Sequence, residues 1–178
     1  AMLFFYISVE YAIVGWLVSY FQDTGVLSAS WSQMMNSLLW LVIFCGRMIG
    51  AAITGKISRS RLLLMDGAGF FAFFLVMFFS RNPILIVLGL MGVGLFMATI
   101  YPTAFAFGSD CIRGNDLGCS IMIFTGSAGG IITPALVGLV AERAGIRAGM
   151  GLVAVFTALL LLCIVLSVIS VKTRKEGA

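Results

Sequence analysis

Histidine is absent from this chain, and charged side chains make up only 10% of it. The first absence removes the side chain most used for acid–base work and zinc binding near neutral pH. The second removes the polar coat that a water-facing surface of this size needs. There are no clustered carboxylates and no nucleophile motif, and the glycines lie inside apolar runs, not in a phosphate-cradling loop after a strand. Enzymatic activity is therefore not expected, and neither is a channel, because no ring-forming selectivity motif occurs. No run alternates apolar and polar residues with period two, which excludes a membrane β-barrel. Of four cysteines, Cys45 and Cys163 fall inside apolar runs and Cys111 and Cys119 flank one turn. Without histidine to complete a metal set they read as packing or free thiols, and no cofactor is expected.

What is present is hydrocarbon. Apolar residues make up 61% of the sequence, and mean hydropathy is +1.14. The apolar residues fall into six runs, at about 2–21, 33–54, 62–80, 83–107, 117–141 and 149–171. Each is near the ~20 residues an α-helix needs to cross ~30 Å of bilayer core. The fold class is thus an all-α membrane protein with six transmembrane helices in a single bundle, and its first partner is the lipid bilayer. The opening run lacks a basic segment and a small-residue cleavage site and contains Glu10, so it reads as a span and not as a signal peptide. Because the chain opens directly in a membrane helix, it reads as a piece of something longer.

Lysine and arginine outnumber aspartate and glutamate by 11 to 7, but the positive charges lie in short turns and form no stripe, so nucleic acid is not a partner. With the N-terminus inside, Lys56, Arg59, Arg61, Arg113, Lys172, Arg174 and Lys175 are cytoplasmic, against Arg81, Arg143 and Arg147 outside. That asymmetry predicts cytoplasmic N- and C-termini.

The stretch from 39 to 64, LWLVIFCGRMIGAAITGKISRSRLLL, organises the rest. Arg47 is a charge within a span, Gly46 and Gly50 remove side chains where another helix can press close, and a basic turn follows. Glu10 and Arg47 each lie eight residues from the same membrane face, about 12 Å deep at the helical rise, so they are level and form the first candidate ion pair. Clamping of backbone carbonyls or snorkelling is the competing role for Arg47. Asp66 is an alternative partner for Arg47, although a solvated charge at a helix N-terminus describes it better. The third run, rich in phenylalanine, and the sixth, without charge, read as peripheral helices facing lipid. In the fourth, Pro102 removes a helical hydrogen bond beside Tyr101 and Thr103, which requires an interior or wet surrounding. In the fifth, Gly126, Gly130, Pro134 and Gly138 recur every four residues, the pattern of a helix-packing seam.

Taken together, four local strings resemble the C-terminal half of a major facilitator superfamily transporter, of the fucose permease-like sugar:proton symporter branch. They are Tyr6 and Glu10 in YxxxE; Gly46, Arg47 and Gly50 running on to Lys56, Ser58 and Arg61; Tyr101-Pro102-Thr103; and Gly129, Gly130, Pro134, Gly138 and Ala141. The resemblance implies two inverted three-helix repeats forming half of a rocking carrier in a cell membrane, such as a bacterial inner membrane, with the first and fourth helices lining the pathway. It implies that Glu10, Trp16, Tyr20, Tyr101 and Thr103 face a cavity, and that Asn36, Trp40 and Thr125 join in contacting a small polar solute. Trp31 is set aside as an interfacial belt residue. Two departures stand out: Arg59 occupies the neighbourhood of an aspartate in the superfamily's loop signature, and the first half, which carries the family's main proton-coupling carboxylates, is missing. The implied partner is a separate N-terminal half or a second copy of this chain, and the alternative cargo is a drug or metabolite that is exported.

Overall fold

A computed structural model describes residues 1–112 and 115–176. Within them the chain forms six helices, α1 (Met2–Asp23), α2 (Ala29–Ile53), α3 (Arg59–Phe79), α4 (Pro83–Cys111), α5 (Asp116–Ala144) and α6 (Ile146–Glu176). All six are long and apolar enough to cross a membrane. Even α3, with 21 residues, reaches about 30 Å at 1.5 Å per residue, the thickness of the hydrocarbon core.

Local chemistry fixes the helix ends. The Ser28 hydroxyl accepts the Trp31 N–H, which starts α2 four residues before the apolar run does. Asn82 accepts the Ile84 N–H with Pro83 in the first turn of α4, and Asn115 accepts the Gly118 N–H at the head of α5. Gly55 (φ 95°) and Gly145 (φ 86°) turn the chain in the region open to glycine. The expected break between the fifth and sixth spans thereby shrinks to Gly145 alone. Of the residues counted as cytoplasmic from sequence, Arg113 lies outside the described residues, as do the side chains of Lys172, Arg174 and Lys175.

Packing is interlocked between the two helix triplets. The principal neighbours of α1 are α5 and α6, those of α4 are α3 and α2, and α3 also packs on α6. One core cluster draws on every helix, from Tyr6, Ile13, Leu17 and Phe21 of α1 to Met150, Leu160 and Ile164 of α6. Two sequence expectations change here. The phenylalanine-rich α3 is not merely peripheral, because Phe70, Phe74 and Met77 enter that core, and α6 buries Val153 and Thr157 while presenting Leu162, Leu166 and Ile169 outward. Aromatic bulk on α3 is used inward because glycines on α4 face it. A Cβ at Gly89 would lie 2.9 Å from the Met77 backbone nitrogen, and one at Gly92 would strike the Phe73 ring.

Candidate functional site

Two cavities meet at Arg47. The first, of about 470 Å³, is lined by Glu10 and Tyr11 of α1, Arg47 of α2, Tyr101 of α4, and Ser127 and Gly130 of α5. The second, of about 610 Å³, lies between α2, α3 and α4 and is lined by Arg47, Gly50, Thr54, Thr99, Pro102 and Thr103 among others.

The first cavity exists because small residues on α5 let α1 come close while leaving the polar edge of α1 uncovered. A side chain at Gly126 would meet Ile7 Cδ1 at 2.7 Å, one at Gly130 would meet Ile7 Cγ2 at 2.9 Å, and one at Gly138 would meet the Trp16 ring at 3.0 Å. Pro134 belongs to the same seam, since the Trp16 Nε1–H donates to its carbonyl oxygen at 3.0 Å. Gly46 and Gly50 play the matching part between α2 and α4: a Cβ at Gly46 would lie 2.7 Å from Ala98 Cβ, and one at Gly50 would collide with Thr99.

Glu10 is half-buried and Arg47 is exposed on the cavity wall. The guanidinium, the Glu10 carboxyl and the Tyr6 hydroxyl lie within electrostatic reach of one another. Among the described residues, however, the ion pair that closes directly is Arg59 with Asp110, joining the head of α3 to the C-terminal end of α4, and none closes between Glu10 and Arg47. Tyr6 is buried, its hydroxyl donates to the Met97 carbonyl at 3.2 Å, and its ring lies 6.0 Å from that of Tyr101, which stacks in turn on Phe105 at 6.3 Å. An acid, a guanidinium and the two phenols of Tyr11 and Tyr101 thus converge from three helices on one cavity.

The remaining sequence-derived residues scatter. Thr103 lines the second cavity with Arg47, away from Tyr101. Tyr20 is only 3% exposed and gives its hydroxyl to the Phe78 carbonyl at 3.0 Å, so it ties α1 to α3 instead of facing the Glu10 cavity. Trp16 is likewise committed to Pro134 and lines an outer hollow with Gln22 and Glu142. Thr125 returns its hydroxyl to the Ile121 carbonyl at 2.7 Å within α5. Trp40 is exposed on α2, and Asn36 is half-buried with Oδ1 lacking a hydrogen-bond partner; neither lines either cavity. Asp66 departs furthest from expectation: it is buried, not solvated, and accepts a hydrogen bond from the Thr99 hydroxyl. The reason is that α3 starts at Arg59, which puts Asp66 two turns inside the helix and against α4. Tyr11, Ser127 and Thr99 were not among the expected site residues. Tyr11 adjoins Glu10, Ser127 adjoins the glycine seam, and Thr99 stands three residues before Pro102 on the stretch expected to face an interior, which are usable signals.

Comparison with known proteins places this geometry in a class. Over 93% of its length the chain superimposes on 36% of the crystal structure of the peptide transporter POT in complex with sulfate, with a TM-score of 0.82 and 19% identity. It superimposes with a TM-score of 0.76 and 22% identity on 40% of FucP, a major facilitator superfamily transporter in the outward conformation. The architecture is that of one six-helix half of a major facilitator transporter. In sequence, the chain is 29% identical over 145 residues to the glucose/mannose transporter GlcP of Bacillus subtilis, matching 81% of this chain and 35% of that protein. It is 24% identical over 112 residues to mouse major facilitator superfamily domain-containing protein 4A, matching 62% of this chain and 22% of that protein. No family model matches. In sequence and in fold the chain is similar to major facilitator superfamily proteins, and the matches span from about a fifth to about a third of those curated relatives.

Proposed function

We propose that the chain is the C-terminal half of a secondary carrier that moves a small polar solute, a sugar first of all, by alternating access coupled to protons. The carrying observation is the cavity where Glu10, Arg47 and Tyr101 converge from three helices. A carboxylate and a guanidinium inside a membrane bundle are costly unless they face water, each other or a solute, and they mark transport pathways for that reason. An aromatic ring beside them offers a sugar an apolar face next to hydrogen-bonding groups. The similarity to a glucose/mannose transporter supports the sugar; the likeness in fold to a peptide transporter keeps a non-sugar cargo as the second candidate. In this reading the termini are cytoplasmic, Arg47 holds the site's charge balance, and Glu10 exchanges a proton as access alternates. The test is Glu10→Gln in the complete carrier, reading glucose-driven proton uptake into proteoliposomes. Loss of proton movement with retained glucose exchange supports the reading, and unchanged coupling removes Glu10 from the mechanism.

The partner in this reading is an N-terminal six-helix half, with a second copy of this chain as the alternative. Phe44 (63% exposed) and Met48 on α2, and Phe124 and Ile131 (76% exposed) on α5, are open, and Ile131 lines the Glu10 cavity. A pathway with one wall missing requires a covering bundle. Mass measurement of the purified chain in detergent should find a dimer or a complex with the other half; a clean, stable monomer counts against the requirement.

A further inference from the structure

Asp66 has no part in the site above, yet it is the one acidic side chain in the buried class among the described residues, 6% exposed. It lies seven residues into α3, about 10 Å along the helix from Arg59. Its partner is the Thr99 hydroxyl of α4, and Thr99 in turn lines the α2–α3–α4 cavity with Arg47, Pro102 and Thr103. The hydroxyl therefore links the carboxylate to a cavity that already carries a fixed positive charge.

Among the described residues no cation forms an ion pair with Asp66. Arg59, on the same helix, is engaged by Asp110 of α4. Arg61 is also on α3, Arg47 of α2 stands across the cavity, and α6 contributes Leu161 and Ile164 beside Gly67, with Cys163 its titratable group in that segment. A purely structural hydrogen bond at this place needs no acid. An acid with one hydroxyl partner has two satisfied states, because a hydroxyl donates to a carboxylate and accepts from a carboxylic acid.

We propose that Asp66 is a proton-binding site of the carrier, separate from Glu10, filled and emptied through the cavity that Thr99 lines. One proton passes from cavity water to the carboxylate, giving the neutral acid, and the Thr99 hydroxyl reverses from donor to acceptor. Release returns the proton to water and restores the present bond. The role of this proton in a cycle rests on the transport reading above, whereas the binding itself does not.

The experiment is pH-difference infrared spectroscopy of the full chain in lipid nanodiscs, with protons as the only added ligand. A carboxylic acid carbonyl band that titrates should be absent in Asp66→Asn, persist in Glu10→Gln, and move in frequency in Thr99→Val, which leaves the acid in place. A titrating spectrum indifferent to Asp66→Asn overturns the proposal; should that variant fail to fold, an unmoved band in Thr99→Val overturns it instead. In proteoliposomes of the complete carrier, Asp66→Asn should lose glucose accumulation driven by a pH gradient while keeping glucose exchange. If the unaltered carrier moves no glucose, the transport reading fails on that arm alone, and the infrared bands still decide Asp66.

Discussion

The closest approach of backbones in the α3–α4 seam gives a sharp test of how this bundle is held. A methyl group at Gly89 would sit 2.9 Å from the Met77 nitrogen and 3.0 Å from both Met77 Cα and Cβ. Those are main-chain atoms and the root of a side chain, with no flexible end to swing aside, so Gly89→Ala must push the helices apart. Overpacking of this kind costs about 1–3 kcal/mol. At roughly 2–4 °C per kcal/mol for a chain of this size, the melting midpoint should fall by about 2–12 °C. Gly15→Ala is the internal control, because nothing lies within 4 Å of a Cβ there. At that exposed helical position alanine should be neutral or stabilise by up to about 1 kcal/mol, since glycine is the poorer helix former. The assay is a thermal melt of the purified chain in one detergent, followed by a thiol-reactive dye that reports exposure of Cys45, Cys119 and Cys163, which are free thiols. The reasoning is refuted if the two variants melt together, or if Gly89→Ala is the more stable.

Two further outcomes are expected. Trp16→Phe removes the donor to the Pro134 carbonyl together with the distal indole atoms that meet Gly138, and should cost at least about 0.5–1.5 kcal/mol in the same melt; no loss would mean that neither the bond nor the contact holds the seam. The Arg59–Asp110 pair is half exposed, at 51% and 41%, so a double-mutant cycle of Arg59→Gln and Asp110→Asn should give a coupling no larger than about 1 kcal/mol that shrinks with added salt. A larger, salt-insensitive coupling would show that the pair is buried under working conditions.

The six crossings were legible because hydrocarbon demands long apolar runs whatever the tertiary structure. The seam glycines were legible too, since spacing by four keeps Gly126, Gly130, Pro134 and Gly138 near one stripe of α5. Counting residues from the turns paired Glu10 with Arg47, and the two line one cavity. The sorting of side chains between cavities could not be read in this way. Tyr101 and Thr103 are two residues apart, about 200° around an α-helix, and they part company into different pockets. The commitments of Tyr20 to Phe78 and of Asp66 to Thr99 span 58 and 33 residues, distances over which no periodicity carries information. Asp66 was also misjudged through a boundary: three more residues at the head of α3 turned a supposed surface charge into an interior one.

The crossed pairing of the helices bears on how the chain is made. Ribosomal synthesis delivers α1 long before α5 and α6, its main companions, and α4 arrives to find α2 and α3 waiting. Until the final hairpin enters the bilayer, the side chains of α1 that meet the α5 glycines, Ile7, Ser8 and Trp16, lack their helix partner. A premature stop after Phe79 would therefore leave α1 without its main packing partners, and not a smaller working unit.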